Sequence, residues 1–202
     1  MSQRGTTLVV LAIVTLGAVA AGCTSEKTGA ATAATTTPAP SPTPTTVSIG
    51  TQKLTILVPA HYQLTPASRA SSDGKCDIHG VSLSDLSKNI VATIAMPPDT
   101  CPNHGEPAIN GNYGVFINRQ DLANQTNVQQ RNVPAGSVAS FTETYTECTN
   151  SCKHLGIDVA VLFLAHPTDP HHAAINIFDT DDSSKSDNGF VPADFAAGIK
   201  VN

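Results

Sequence analysis

Residues 24 to 47 read TSEKTGAATAATTTPAPSPTPTTV, and Val47 is their only large apolar side chain. Such a stretch buries too little surface to offset the entropy of ordering it. It therefore reads as a disordered tether and divides the chain in two. Pro38, Pro40, Pro42 and Pro44 bias it toward extended polyproline geometry. At ~3.1 Å per residue, about 24 residues would reach up to roughly 70 Å. Thr- and Pro-rich tracts are also common acceptors of O-linked sugars. A 202-residue chain sets a prior of about one domain. That domain is expected over residues 48–202.

The segment before the tether carries an address. Arg4 is the only charged side chain in Met1 to Thr7, and Leu8 to Ala21 is apolar apart from Thr15 and Gly17. This is the length of a signal h-region, short of the roughly 20 residues that span hydrocarbon. The run ends in Ala20-Ala21-Gly22-Cys23. Here the chain resembles the lipobox of bacterial lipoprotein precursors of the actinobacterial, mycobacterial type. It carries Ala20 where that family prefers Leu, Val or Ile. The resemblance implies cleavage between Gly22 and Cys23. It also implies a diacylglyceryl group on the Cys23 thiol and an acyl chain on its amine. Residues 1–22 are then a lipoprotein signal peptide, and 23–47 a lipidated tether, often mannosylated in such proteins. The expected location is the cell membrane, lipid-anchored on its extracytoplasmic face. One acyl chain binds a bilayer only marginally, at about 0.8 kcal/mol per buried methylene, whereas two or three hold it firmly.

Composition narrows the partners. The formal net charge is −5, and Lys and Arg are scattered with no basic stripe, which argues against nucleic acid. Trp is absent and aromatics are 4%, so ring platforms for stacking sugars or bases are hard to build.

With Cys23 assigned to lipid, Cys76, Cys101, Cys148 and Cys152 remain. An even number in an exported domain reads as two disulfides. Three pairings exist; Cys76–Cys101 and Cys148–Cys152 join sequence neighbours and are favoured. They would stabilise by roughly 3.5 and roughly 2 kcal/mol. The competing reading makes Cys148 and Cys152 a metal-ligand pair, without a second pair at matching spacing.

Strand patterns dominate the domain. Leu54, Ile56 and Val58 alternate with polar neighbours, as do Ile90, Ala92, Ile94 and Met96. Residues 137–147 set Ala139, Phe141 and Tyr145 against a wet face of Ser140, Thr142, Thr144 and Thr146. Ile157 to Ala165 is nearly continuously apolar, as in a strand covered on both faces. An antiparallel meander over 137–147, 153–165 and 172–179 follows, turning at Cys148–Cys152 and at Pro167–Pro170. Helices are expected over Pro192 to Lys200, with Pro in the first turn, and over 119–130. The fold class is thus α+β: an antiparallel sheet with one to three helices packed on it. An opening strand running into VPAHYQL, the meander, and a final helix after NGFVPADF are similar in order to PsbP-like domains. That resemblance implies a fold and an accessory role, and no site residue.

Chemical motifs are few. His166, Asp169, His171 and His172 cluster in one turn, where imidazoles and a carboxylate suit Zn or Cu. Pro167, Pro170 and Asp169 also describe a polar hairpin tip. Asp179, Asp181, Ser183 and Asp187 echo a calcium loop, but Ser184 and Phe190 replace its Gly and Glu. No G-x-S-x-G, H-E-x-x-H or phosphate-binding Gly loop occurs. No catalytic residue and no cofactor is assigned. The expectation is a non-enzymatic binding or accessory module, membrane-bound through the Cys23 lipid, for an envelope protein, glycan or lipid. The alternatives are a carrier of apolar envelope lipids in an internal cavity, and an envelope hydrolase or metal-binding protein.

Overall fold

The structure, a computed structural model, describes residues 41–71, 74–97, 107–109, 113–148, 150–180 and 189–202. Strands β1 (Thr43–Ile49) and β2 (Gln52–Val58) form a hairpin. Its two-residue turn places Gly50 at φ +58°. Glycine at that first turn position matches the strands' right-handed twist without steric cost. Gln52, Leu54, Ile56 and Val58 point inward from β2. Then follow β3 (Tyr62–Pro66), β4 (Arg69–Ala70), β5 (Asp77–Asp85) and β6 (Ile90–Met96). Next come the short pair β7 (Pro107–Ile109) and β8 (Tyr113–Val115), and β9 (Gln129–Val133). The chain continues through β10 (Gly136–Cys148), β11 (Cys152–Leu164) and β12 (Ala174–Asp179). Helix α1 (Pro192–Ala197) and β13 (Lys200–Val201) complete it.

Two sheets hold the core. The larger runs β3-β5-β6-β12-β11-β10-β9, antiparallel throughout, with β4 beside β5. After β6 the chain crosses to the far edge, then meanders back until β12 lies against β6. The smaller sheet is β1-β2-β13. Together with α1 it covers one face of the larger sheet. Leu54, Ile56, Leu83, Ile94, Leu162, Ile175, Ile177, Ala196 and Ile199 are buried there. The opposite face buries Ile78, Phe141, Val159, Val161, Phe163 and Phe178 under Phe116 and Ile117. Phe116 meets Phe178 edge to face at 5.9 Å, and the Arg119 guanidinium lies 4.5 Å over the Phe163 ring. Because both faces are covered, β11 needs apolar side chains on both. Val159, Val161 and Phe163 serve one core, and Ala160, Leu162 and Leu164 the other.

One polar side chain fixes the second cover. Asn176, fully buried on β12, accepts the Ile117 N–H at 2.8 Å and donates to the Ile117 carbonyl at 3.3 Å. A single amide thus satisfies both polar groups of a buried backbone unit that lies in no strand.

Three expectations are corrected. The α+β layout with helices packed on a sheet gives way to a predominantly β protein of two antiparallel sheets. Among the described residues there is one α-helix, of six residues. The helix expected over 119–130 is one 3-10 turn, Asp121–Asn124. Leu122 and Val128 are too far apart to form an apolar stripe, and Asn127 sits at φ +55°, outside helical space. The closing helix stops at Ala197, because Lys200 and Val201 leave to pair with Thr55 and Leu54. Strand β1, Thr43–Ile49, overlaps the stretch read as tether up to residue 47. Thr43 to Val47 pair with β2, and Val47 and Ile49 join its apolar side chains at the same core. Pro44 is accommodated because β1 is an edge strand, where a missing donor is tolerated.

Candidate functional site

The histidine-rich turn between β11 and β12 is a clasp. Asp169 accepts the His171 N–H at 2.9 Å, and its other carboxylate oxygen lies 2.9 Å from His172 Nδ1. Those hydrogen bonds, the His171 amide first, hold the Asp169 carboxyl below the usual carboxylate range. Gln52, buried at the start of β2, accepts from the Thr168 N–H at 2.9 Å and from its hydroxyl at 3.1 Å. The His79 ring, from β5, lies 6.0 Å from that of His172. The turn is thereby tied to both sheets.

Of the four metal candidates, only Asp169 and His172 meet side chain to side chain. His166 and His171 are exposed. Among the described residues no group of three or more His, Cys, Asp or Glu is placed to hold a metal. His79 was invisible to linear spacing because its strand reaches the turn only through folding.

The clasp has a pH signature. A carboxyl lowered in the folded state contributes stability that is complete above its unfolded pKa and lost as pH falls through the folded one. Thermal melting is therefore expected to weaken below about pH 4, and Asp169→Asn to make that acid limb shallower, the hydrogen-bonded Asp85 carboxyl supplying part of the remainder. An unchanged acid limb in the variant would remove Asp169 from the account.

A second place has the form of a cleft. Strands β10 and β11 pair from Gly136↔Leu164 to Cys148↔Cys152. Strand β9 accompanies β10 only as far as Ser140, and β12 accompanies β11 only from Val159. Beyond those points a two-stranded ribbon leaves the sheet. Its end is closed by the Cys148–Cys152 disulfide, with Cα atoms 4.1 Å apart. On one ribbon face Ser140, Thr142, Thr144 and Thr146 stand opposite Ala160, Asp158, Gly156 and His154. The Thr142 hydroxyl donates to Asp158 Oδ1 at 2.7 Å, and Thr146 Oγ1 lies 3.0 Å from His154 Nδ1.

Where this face meets the body there is an open cleft of ≈ 370 Å³. One wall is polar: Asn127, Gln129, Ser140, Thr142 and Asp158. The other is aliphatic: Val191, Pro192 and Ala193, where α1 begins. Arg131 of β9 braces that second wall, donating to the Ala193 carbonyl at 2.6 Å and to Asp194 Oδ1 at 2.8 Å. Among the described residues Asp158 is the only ionisable side chain of the lining. The cleft can accept hydrogen bonds at a carboxylate and exchange them at hydroxyls and amides. It offers no cation to an anionic ligand. The sequence displayed the Thr face of β10 but placed Asp158 inside an apolar run. Its interruption of that run was the signal available.

A separate apolar groove of ≈ 430 Å³ lies between Leu57, Tyr62, Phe190, Val191 and Phe195. Cys23 and Gly22, at the expected lipidation and cleavage point, lie outside the described residues, as does Cys101 of the expected Cys76–Cys101 pair. No helix among the described residues is long and apolar enough to cross a membrane. No known protein family, curated protein or solved structure matches this chain.

Proposed function

We propose that this chain is a lipid-anchored envelope protein whose β domain is a non-enzymatic binding module, with the cleft at Thr142 and Asp158 as its recognition site. The Thr142–Asp158 hydrogen bond at the foot of the ribbon carries the reading. It holds a carboxylate at the cleft wall and leaves Asp158 Oδ2 for a ligand. The threonine hydroxyl is bound to that carboxylate rather than to an imidazole base, an arrangement suited to holding a ligand rather than to nucleophilic attack. The apolar run and Ala20-Ala21-Gly22-Cys23 supply the anchor, and the Thr/Pro tract the spacer.

Two experiments test it. Cys23→Ala is expected to abolish fatty-acid labelling and to shift the protein from the membrane fraction to the soluble fraction or to uncleaved precursor. Unchanged labelling and partitioning would refute the anchor. The purified full chain is expected to retain solubilised envelope material, and Asp158→Lys to lose that retention while keeping the same melting curve. Equal retention by both proteins would move recognition away from the cleft, and no retention above control would sink the binding reading.

A further inference from the structure

Resting on that reading, we propose that the ligand of the cleft is a neutral polyhydroxyl compound, a sugar unit of a glycan. The two walls differ in the way the edge and face of a sugar ring differ. Asp158, Ser140 and Gln129 line one side. Together they supply acceptors and donors for ring hydroxyls, each of which both donates and accepts. A carboxylate oxygen is the strongest neutral-ligand acceptor a protein has, because the bond is charge-assisted.

The facing wall is aliphatic, and Val191 is 51% exposed on it. A ring's C–H face can settle there without an aromatic platform. This answers the objection raised by an aromatic content of 4%. An anionic ligand is disfavoured, since the lining holds one carboxylate and no cation, and Arg131 is already engaged with α1. A cationic amine would find one charged partner in the lining, whereas a polyhydroxyl ring can use the carboxylate together with the neighbouring hydroxyls, amides and aliphatic wall. Both walls are held in place before any ligand arrives, one by the cross-strand pair and the other by Arg131, which lowers the ordering cost of binding.

The test is a titration of the full chain, followed by amide chemical shifts, with glucose, mannose, galactose, arabinose and trehalose. Inorganic sulfate and methylammonium are the charged controls. At least one sugar is expected to shift Ser140, Thr142 and Asp158 with a dissociation constant of about 1 mM. Asp158→Asn, which keeps the shape, is expected to weaken it about tenfold. Thr142→Val, which frees the carboxylate to turn away, is expected to weaken it less. Shifts with methylammonium or sulfate and none with any sugar would overturn the proposal. So would sugar binding that both variants leave intact. If envelope material is retained in an Asp158-dependent way while every sugar fails, the ligand class is wrong and the binding module stands. If neither binds, both fall.

Discussion

Gly136→Ala is expected to cost about 3–5 kcal/mol of folding free energy, measured by equilibrium denaturation. Gly136 opens β10 at φ +150°, directly after the Pro134-Ala135 turn from β9. A Cβ there would stand 2.0 Å from the Phe163 carbonyl oxygen and 2.8 Å from the Ala165 nitrogen. Both are backbone atoms, one in β11 and one just past its end, so no side-chain rotation relieves the overlap. The approach is close because the Ala165 N–H donates to the Ala135 carbonyl at 3.0 Å, drawing the turn onto the end of β11. The φ adds a penalty of its own for any residue with a side chain. A measured loss below about 1 kcal/mol would mean that the β9–β10 turn lifts freely away, and the hairpin would not be fixed as described.

The second large effect belongs to Asn176. Asn176→Leu keeps the size of the side chain and removes both hydrogen bonds to Ile117. A buried N–H and a buried carbonyl are then left without partners, each costing about 1–3 kcal/mol. The expected total is about 2–4 kcal/mol, since Leu recovers some apolar burial. Amide hydrogen exchange provides a readout that a general core defect would not reproduce. The Ile117 amide should lose protection far beyond the loss at β11, because its hydrogen bond is made to that side chain. Uniform loss across the domain would refute that local role.

These two positions also show where reading the chain by eye reaches its limit. The double-sided burial of β11 was legible, because Val159 to Leu164 leaves no polar side to a strand. The turn at Cys148–Cys152 was legible from two strand patterns, 137–147 and 153–165, separated by five residues. The helical content was not. Phe195 and Ile199 have helical spacing, but Ile199 enters the core from beyond the helix end, and tertiary pairing with β2 claims the next two residues. By local pattern Asn176 is one polar residue in an apolar strand, and its role exists only because a non-strand segment crosses that face. For the same reason the polar wall of the cleft was half visible. Thr142 sits in an evident alternation, whereas the junction of β9, β10, β11 and the start of α1 is set by a crossover that local pattern does not encode.

The placement of β13 beside β2 orders events in time. Hairpins β1–β2 and β10–β11 close through short turns and can form early, since little loop entropy opposes them. The third strand of the small sheet cannot join until residues 200 and 201 have been made and delivered. Until then β2 keeps a bare hydrogen-bonding edge over an unfinished core, the kind of edge on which strands of other molecules add. Assembly dominated by such distant pairings belongs to the millisecond-to-second regime. The nascent chain therefore passes through an interval in which crowding is its main hazard, and pairing of Lys200 and Val201 closes the edge at Thr55 and Leu54.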